Sequence, residues 1–406
     1  MEIKKFNNYK IKWNINSETM IKPGLERIKK ALHLLGNPQH KHKIIHVAGT
    51  NGKGSTIAFM REIASEHGIK YGSFTSPCLI DVHDQILLNG NHVTEAQMDH
   101  AFSLLVDVGI SGLLTDFELL TVIAFLVFAE QELDVVFIEA GMGGRFDSTN
   151  VINHSVAVIP SISIDHTNFL GETIEEISWH KAGITKEHGK LILGETSQAA
   201  KEVICKEVAD KNADLIEITK HFKITDNSYN YKNYIFEQLY PQMLGEHQLS
   251  NMALAITAMI ESGFILKEEK VKIAINNASL PGRMEKWNDH VYMDGAHNRA
   301  SIDALVETIK KYFSNERIHF IIGILRDKDY KYILDRLEEV ATSFEFVDFE
   351  HERALDATIL FNHCTNSDKS VTKDIHLIDL HRSKKESVTI VSGSLYLITE
   401  LKGINS

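Results

Sequence analysis

The chain has 406 residues, of which 43 % are hydrophobic and 24 % charged, with a formal net charge of −12 and only six prolines. A chain of that size and apolar content exceeds what one core usually organises, so two domains are expected and long disordered linkers are excluded. The acidic balance excludes non-specific nucleic-acid binding as a role, because phosphate neutralisation needs a surplus of Lys and Arg.

The N-terminal stretch MEIKKFNNYKIKWNINSE lacks the continuous apolar run of a signal peptide, and no window reaches the length of a membrane-spanning helix. Cys78, Cys205 and Cys364 are odd in number, widely spaced and without a CxxC pair. Neither a disulfide framework nor a cysteine zinc site is expected, and a reducing cytoplasm fits best. After Pro23, the residues Leu25, Ile28, Leu32 and Leu35 recur at helical spacing up to Gly36, which stands where a left-handed cap would. Residues 44–47 read as a buried strand, followed by the glycine-rich AGTNGKGST and a helical pattern through Ile57, Met60 and Ala64 to Gly68. Thr94 with Gln97, and Thr173 with Glu176, have the spacing of capping boxes and predict two more helix starts. Apolar strands at 135–138 and 156–159 alternate with these helices, as a parallel sheet covered on both faces requires.

Residues 222–240 have β character, and a helix is expected over 249–263. After Pro281-Gly282 the rhythm resumes: a strand near Tyr292, a helix over 302–309, a strand over 318–322, a helix over 332–340, and strands at 375–378 and 388–391. The expected organisation is a P-loop, parallel-sheet α/β domain over 1–279 and a smaller, doubly wound, Rossmann-like α/β domain over 280–406.

The strongest chemical signal is Gly49-Thr50-Asn51-Gly52-Lys53-Gly54-Ser55 between a strand and a helix, where backbone N–H groups can surround phosphates. Lys53 would neutralise phosphate charge, and the Ser55 hydroxyl sits where a helix-starting oxygen reaches Mg²⁺. The loop is a variant, with Val47 where the common pattern has glycine and Gly54 where it has a hydroxyl. A glycine-rich turn without a ligand is the alternative, against which the strand and helix context argues. Glu139 ends an apolar strand just before Gly141-Met142-Gly143-Gly144-Arg145, a place suited either to metal ligation or to an exposed acidic strand end. Asp165-His166 follows the next apolar strand, so a neutral imidazole could join Glu139 on a cation.

The segments HVAGTNGKGST, TSP, EAGMGGRFDSTNV, DHTNFLG, HKAGI, GEHQLSN, LPGRME and DGAHN occur in order and resemble the folylpolyglutamate and dihydrofolate synthases of the Mur ligase family. Matching motifs run from GLER at 24–27 to GSLYL at 393–397, nearly the whole chain. The resemblance implies an ATP-driven ligation in which the carboxylate of a folate or dihydropteroate is phosphorylated and then attacked by the amine of L-glutamate. It implies closure of the second domain over the first, to keep the activated carboxylate from water. It assigns Gly52, Lys53, Gly54 and Ser55 to the ATP phosphates, and Ser55, Ser76, Glu139 and His166 to Mg²⁺. Lys53, Glu139, His166 and Lys181 form the catalytic set it implies, with Lys181 at the position of a lysine carbamylated in the family. Asn251, Arg283, Asp294 and His297 match positions that hold ATP.

For the pterin, the matching stretches are 20–23, 115–118 and 146–148, in which Phe117 could stack on a flat ring and Asp147 could hydrogen-bond it. Phe117 also sits on an amphipathic helix pattern, where an aromatic serves as plain core. The sequence departs from the family at Cys78 and at Asp84-Gln85, and His180 replaces a frequent glutamate. The implied enzyme is a cytoplasmic monomer acting on small molecules, with folate extension as its main activity. A Mur-type ligase with another carboxylate acceptor, or a nucleotide-binding regulator without ligase activity, are the other readings.

Overall fold

The computed structural model describes residues 5–20, 22–153, 156–225, 227–382 and 387–405. It divides into two compact units, one made of residues 1–241 and 249–278 and the other of residues 242–248 and 279–406.

The first unit is built on an eight-stranded sheet. Its strands are β1 (Ile44–Val47), β2 (Tyr71–Phe74), β3 (Ile86–Leu88), β4 (Asn91–His92), β5 (Val135–Glu139), β6 (Val156–Ile159), β7 (Lys190–Leu193) and β8 (Asp214–Glu217). They lie in the order β4-β3-β2-β5-β1-β6-β7-β8. From β2 to β8 all neighbours are parallel, while β3 and β4 add an antiparallel hairpin at the edge. Strands β1, β2, β5 and β6 are buried at every residue, as strands with helices on both faces must be. A small antiparallel sheet, β9 (Lys223–Thr225), β10 (Ser228–Tyr231) and β11 (Tyr234–Phe236), occupies the segment read as β. The Tyr229 hydroxyl of β10 ties it to Thr257 at 2.7 Å.

Local chemistry sets the helix ends. Thr94 and Thr173 form the expected capping boxes, and Thr115 with Glu118 forms one more at the start of the helix Asp116–Ala129. Gly36 has φ +77° and ends the opening helix Glu26–Leu34. The helix Phe6–Lys12, which the sequence reading did not anticipate, buries only two rings, Phe6 and Tyr9, among polar residues and an exposed Ile11. The helix Asp116–Ala129 corrects the amphipathic reading around Phe117: it is buried on nearly every side because it packs between layers.

The second unit has a six-stranded sheet of β12 (Glu285–Lys286), β13 (Val291–Asp294), β14 (Ile318–Ile322), β15 (Ser343–Val347), β16 (Lys369–Thr372) and β17 (Val388–Ser392). The order is β12-β13-β17-β14-β15-β16, parallel except for the β12 edge. The chain thus runs outward to β16 and returns to insert β17 beside β13, a doubly wound topology. One expected strand is overturned. Residues 375–377 form a turn of 3₁₀ helix, because the Asp374 carboxylate accepts the His376 N–H at 3.0 Å and caps the turn. The outer sheet position is taken instead by β16, a partly exposed polar strand with little apolar signature. Among the described residues no helix is long and apolar enough to cross a membrane.

Candidate functional site

In the first unit the glycine-rich loop leaves the carboxyl end of β1 and enters the helix Lys53–His67 at Gly52, whose φ is +87°. A side chain is excluded there, since a Cβ would collide with the Asn251 amide oxygen and press on Pro160. Asn251 thus stands against the loop. The loop is fastened to the segment after β6. The Ala48 N–H donates to Val158 O at 3.0 Å, Thr50 N–H to Ser161 O at 2.9 Å and Asn51 N–H to Ser161 Oγ at 3.1 Å. The Thr50 hydroxyl donates to Ser163 O at 3.0 Å and accepts the Ser163 N–H at the same distance. Sequence reading missed Ser161 and Ser163. Their only signal was a pair of hydroxyl residues just past an apolar strand.

Lys53 Nζ donates to Gly49 O at 3.1 Å and Thr50 O at 3.3 Å, and stands 3.8 Å from Glu139 Oε1. The other carboxylate oxygen of Glu139 accepts the Ser76 N–H at 3.3 Å. These contacts join residues from the carboxyl ends of adjacent strands β1, β2 and β5, where open parallel sheets place their ligands. Of the groups assigned to a cation, Glu139 is 5 % exposed and Ser55 2 %, whereas Ser76 is half-buried and His166 exposed. Among the described residues, no three His, Cys, Asp or Glu side chains could hold a metal by themselves. His166 has φ +53° at the start of the short helix Thr167–Leu170, and its ring lies 4.0 Å from the Asp165 carboxylate.

Lys181 is 3 % exposed on the helix Ile174–Ala182. Burial, reinforced by the Lys53 cation, lowers its ammonium from 10.5 to about 7, while Asp165 and Asp147 pull in the opposite direction. Asp147 holds the turn after β5. Its carboxylate accepts the Met142 N–H at 2.8 Å, the Thr149 N–H at 3.0 Å and the Thr149 hydroxyl at 2.5 Å. Burial raises its pKa, and these bonds draw it back. Phe117 stacks on Phe74 with centroids 5.9 Å apart, and the Phe117 ring abuts Gly141 so closely that no Cβ would fit. Phe117 and Asp147 therefore meet at Gly141. Of the stretch 20–23, Ile21 lies outside the described residues. The atypical segment 78–85 is held by its own side chains: Asp84 Oδ2 accepts the N–H groups of Leu79 and Ile80 at 2.9 and 2.6 Å, and Gln85 donates to Thr75 O at 3.1 Å.

In the second unit, Arg283, Asp294 and His297 gather at the carboxyl end of β13. Asp294 accepts the Met284 and Ala296 N–H groups, both at 2.9 Å, and Arg283 donates to Gly282 O at 2.9 Å. Burial raises the Asp294 pKa, and the Arg283 charge opposes it. The His297 ring bonds Gly295 O through Nδ1 at 2.7 Å.

Two family models match the chain: the Mur ligase middle domain over residues 47–259, and the Mur ligase, glutamate ligase domain over residues 282–395. A dihydrofolate synthase/folylpolyglutamate synthase of Bacillus subtilis is 36 % identical, covering 94 % of this chain and 95 % of the relative. The Escherichia coli protein of the same description is 30 % identical, over 96 % and 92 %. Among solved structures, E. coli FolC in complex with DHPP and ADP superposes with a TM-score of 0.89 at 29 % identity, over 98 % of this chain and 96 % of that one. The Yersinia pestis bifunctional enzyme complexed with AMPPNP and Mn ion gives 0.88 at 26 %, over 98 % and 97 %.

Proposed function

The chain belongs to the Mur ligase family, in its dihydrofolate synthase/folylpolyglutamate synthase branch, and from that premise we propose that it joins L-glutamate to folates at the expense of ATP. The observation that carries this reading is the cluster of Lys53, Glu139 and Ser76 beside the glycine loop, at the ends of adjacent parallel strands.

In the first half-reaction a substrate carboxylate oxygen takes the γ-phosphoryl group and ADP leaves. In the second, the glutamate amine attacks the acyl carbon, phosphate departs with the carboxylate oxygen, and the amine loses a proton as the amide forms. Little covalent work falls to the protein, so positioning and charge stabilisation carry the catalysis. The N–H groups of the loop through Gly52 and Gly54, with Lys53, orient the phosphates at the helix start. Ser55, Ser76, Glu139 and His166 would hold Mg²⁺, which would supply charge neutralisation at the transferring group. The Lys181 amine, its pKa lowered to about 7, would add to CO₂ and release a proton, and the carbamate would supply an anionic oxygen ligand. In the first unit Asn251, which stands against the loop, is read as a nucleotide contact; in the second, Arg283, Asp294 and His297 are read as nucleotide contacts from the family positions they match. Phe117 stacks on the pterin and Asp147 accepts one of its N–H groups.

We read the enzyme as a cytoplasmic monomer whose three cysteines, none of them in a disulfide, stay reduced. Folate extension is its main activity. A substrate labelled with ¹⁸O in its carboxylate is expected to deliver one labelled oxygen to the released phosphate; phosphate without label would contradict the acyl-phosphate route. Arg283→Lys is expected to raise KM for ATP about tenfold, since an ammonium cannot make the two parallel bonds of a guanidinium. Unchanged ATP kinetics would remove Arg283 from the nucleotide site.

A further inference from the structure

The Asp147 carboxylate does not stand alone. Behind it, in the interior of the first unit, a hydrogen-bonded chain runs back to the central strand of the sheet. His46 on β1 is wholly buried, and its Nε2 lies 2.9 Å from Thr149 Oγ1. Thr149, also wholly buried, brings that same Oγ1 to within 2.5 Å of Asp147 Oδ1. A hydroxyl has one proton to give, and an ionised carboxylate can only accept. The proton therefore points at Asp147, the hydroxyl accepts from His46, and His46 carries its hydrogen on Nε2. This order fixes the direction of each hydrogen bond from His46 Nε2 to Asp147. Asp147 in turn fixes the Met142 N–H, next to the Gly141 backbone on which the Phe117 ring lies.

We propose that His46 and Thr149 are positioning residues for substrate selection: through their hydrogen-bonded chain they hold the Asp147 carboxylate, and with it the Gly141 wall, in the geometry that receives the flat ring of the substrate. The inference rests on the reading of Phe117 and Asp147 as the ring-binding pair. Neither residue touches the nucleotide loop's ligand groups in this scheme, so their effect falls on one substrate and not on the other. β1 pairs His46 with Ile138, one residue before Glu139, so the strand that carries the nucleotide loop also anchors the ring pocket from behind.

The test measures KM for dihydropteroate and for ATP, together with the melting temperature, on the full chain and its variants. Thr149→Val keeps the shape and removes the hydroxyl, and it is expected to raise KM for dihydropteroate about tenfold, the effect of losing one hydrogen bond to a charged group. KM for ATP should stay within about twofold, a change that corresponds to well under the tenfold step of 1.4 kcal/mol. Thr149→Ser should restore the wild-type value. His46→Gln, whose amide nitrogen can donate as Nε2 does, should bind dihydropteroate more tightly than His46→Leu. A rise in both KM values together with a lowered melting temperature, or failure of serine to rescue, would make the chain merely structural and overturn the inference. If Thr149→Val leaves KM for dihydropteroate unchanged while Asp147→Asn raises it, the positioning role fails and the ring pocket stands. If Asp147→Asn also has no effect, the ring-pocket reading itself is wrong.

Discussion

Lys181→Met is expected to lower ligation about 10- to 100-fold, the range seen when groups that tune a metal site are lost, while leaving the folded protein as stable as the wild type or more so at pH 7. The two halves have one cause. Lys181 is buried, and burial with the Lys53 cation brings its ammonium down from 10.5 to about 7. Between about pH 7 and 10.5 the unfolded chain holds a proton on this amine that the folded chain does not. Stability therefore rises with pH across that window, and the lysine is a cost at its lower end. Methionine has similar length and no charge to bury, so it removes the cost. In CO₂-free buffer, chemical denaturation at pH 7 and pH 10 should show the variant's advantage shrinking as pH rises. Activity should fall as pH drops below about 7, because the ammonium form cannot take CO₂, and added bicarbonate should restore wild type but not the variant. A variant with wild-type turnover would remove Lys181 from the catalytic set.

Glu139→Gln tests the other end of the site. The glutamine keeps an oxygen for the Ser76 N–H but loses the charge that faces Lys53 at 3.8 Å. The expected result is a fall in kcat of about 10²- to 10³-fold, the range for removing one preorganised charge-stabilising group. The Mg²⁺ concentration needed for half-maximal rate should also rise, whereas the melting temperature without Mg²⁺ should change little. An unaltered Mg²⁺ dependence would place the cation elsewhere.

Much of the fold was legible because its signals are local. The strand over 44–47, the loop glycines and the helix to Gly68 follow one another in sequence as they do in space, and the spacing of Thr94 to Gln97 and of Thr173 to Glu176 marked helix starts that the structure retains. The polar edge strand at Lys369–Thr372 was not legible, since one exposed face erases its apolar signature. The 3₁₀ turn at Ile375–Leu377 was misread for the opposite reason. Its apolar residues imitate a strand, and only the flanking Asp374 gives the turn away.

The site divides along similar lines. Lys53 and Glu139 could be picked from sequence because phosphate loops and strand-end carboxylates have recognisable surroundings, whereas Ser76 entered only through the family resemblance. Ser161, Ser163, His46 and Thr149 could not. Each works through contacts to residues some 100 or more positions away, and no spacing within its own segment announces that. The amine of Lys181 is a further case: its charge state depends on burial that only the folded chain reveals.

The most direct measurement of the central claim is product formation by the purified protein with Mg²⁺-ATP and L-glutamate, offering reduced folates and dihydropteroate in parallel and identifying amides by mass. The account predicts ADP release matched one to one by a γ- or α-glutamyl amide on the folate acceptor, with none when Mg²⁺ or glutamate is omitted. ATP turnover without an amide on either acceptor would contradict it.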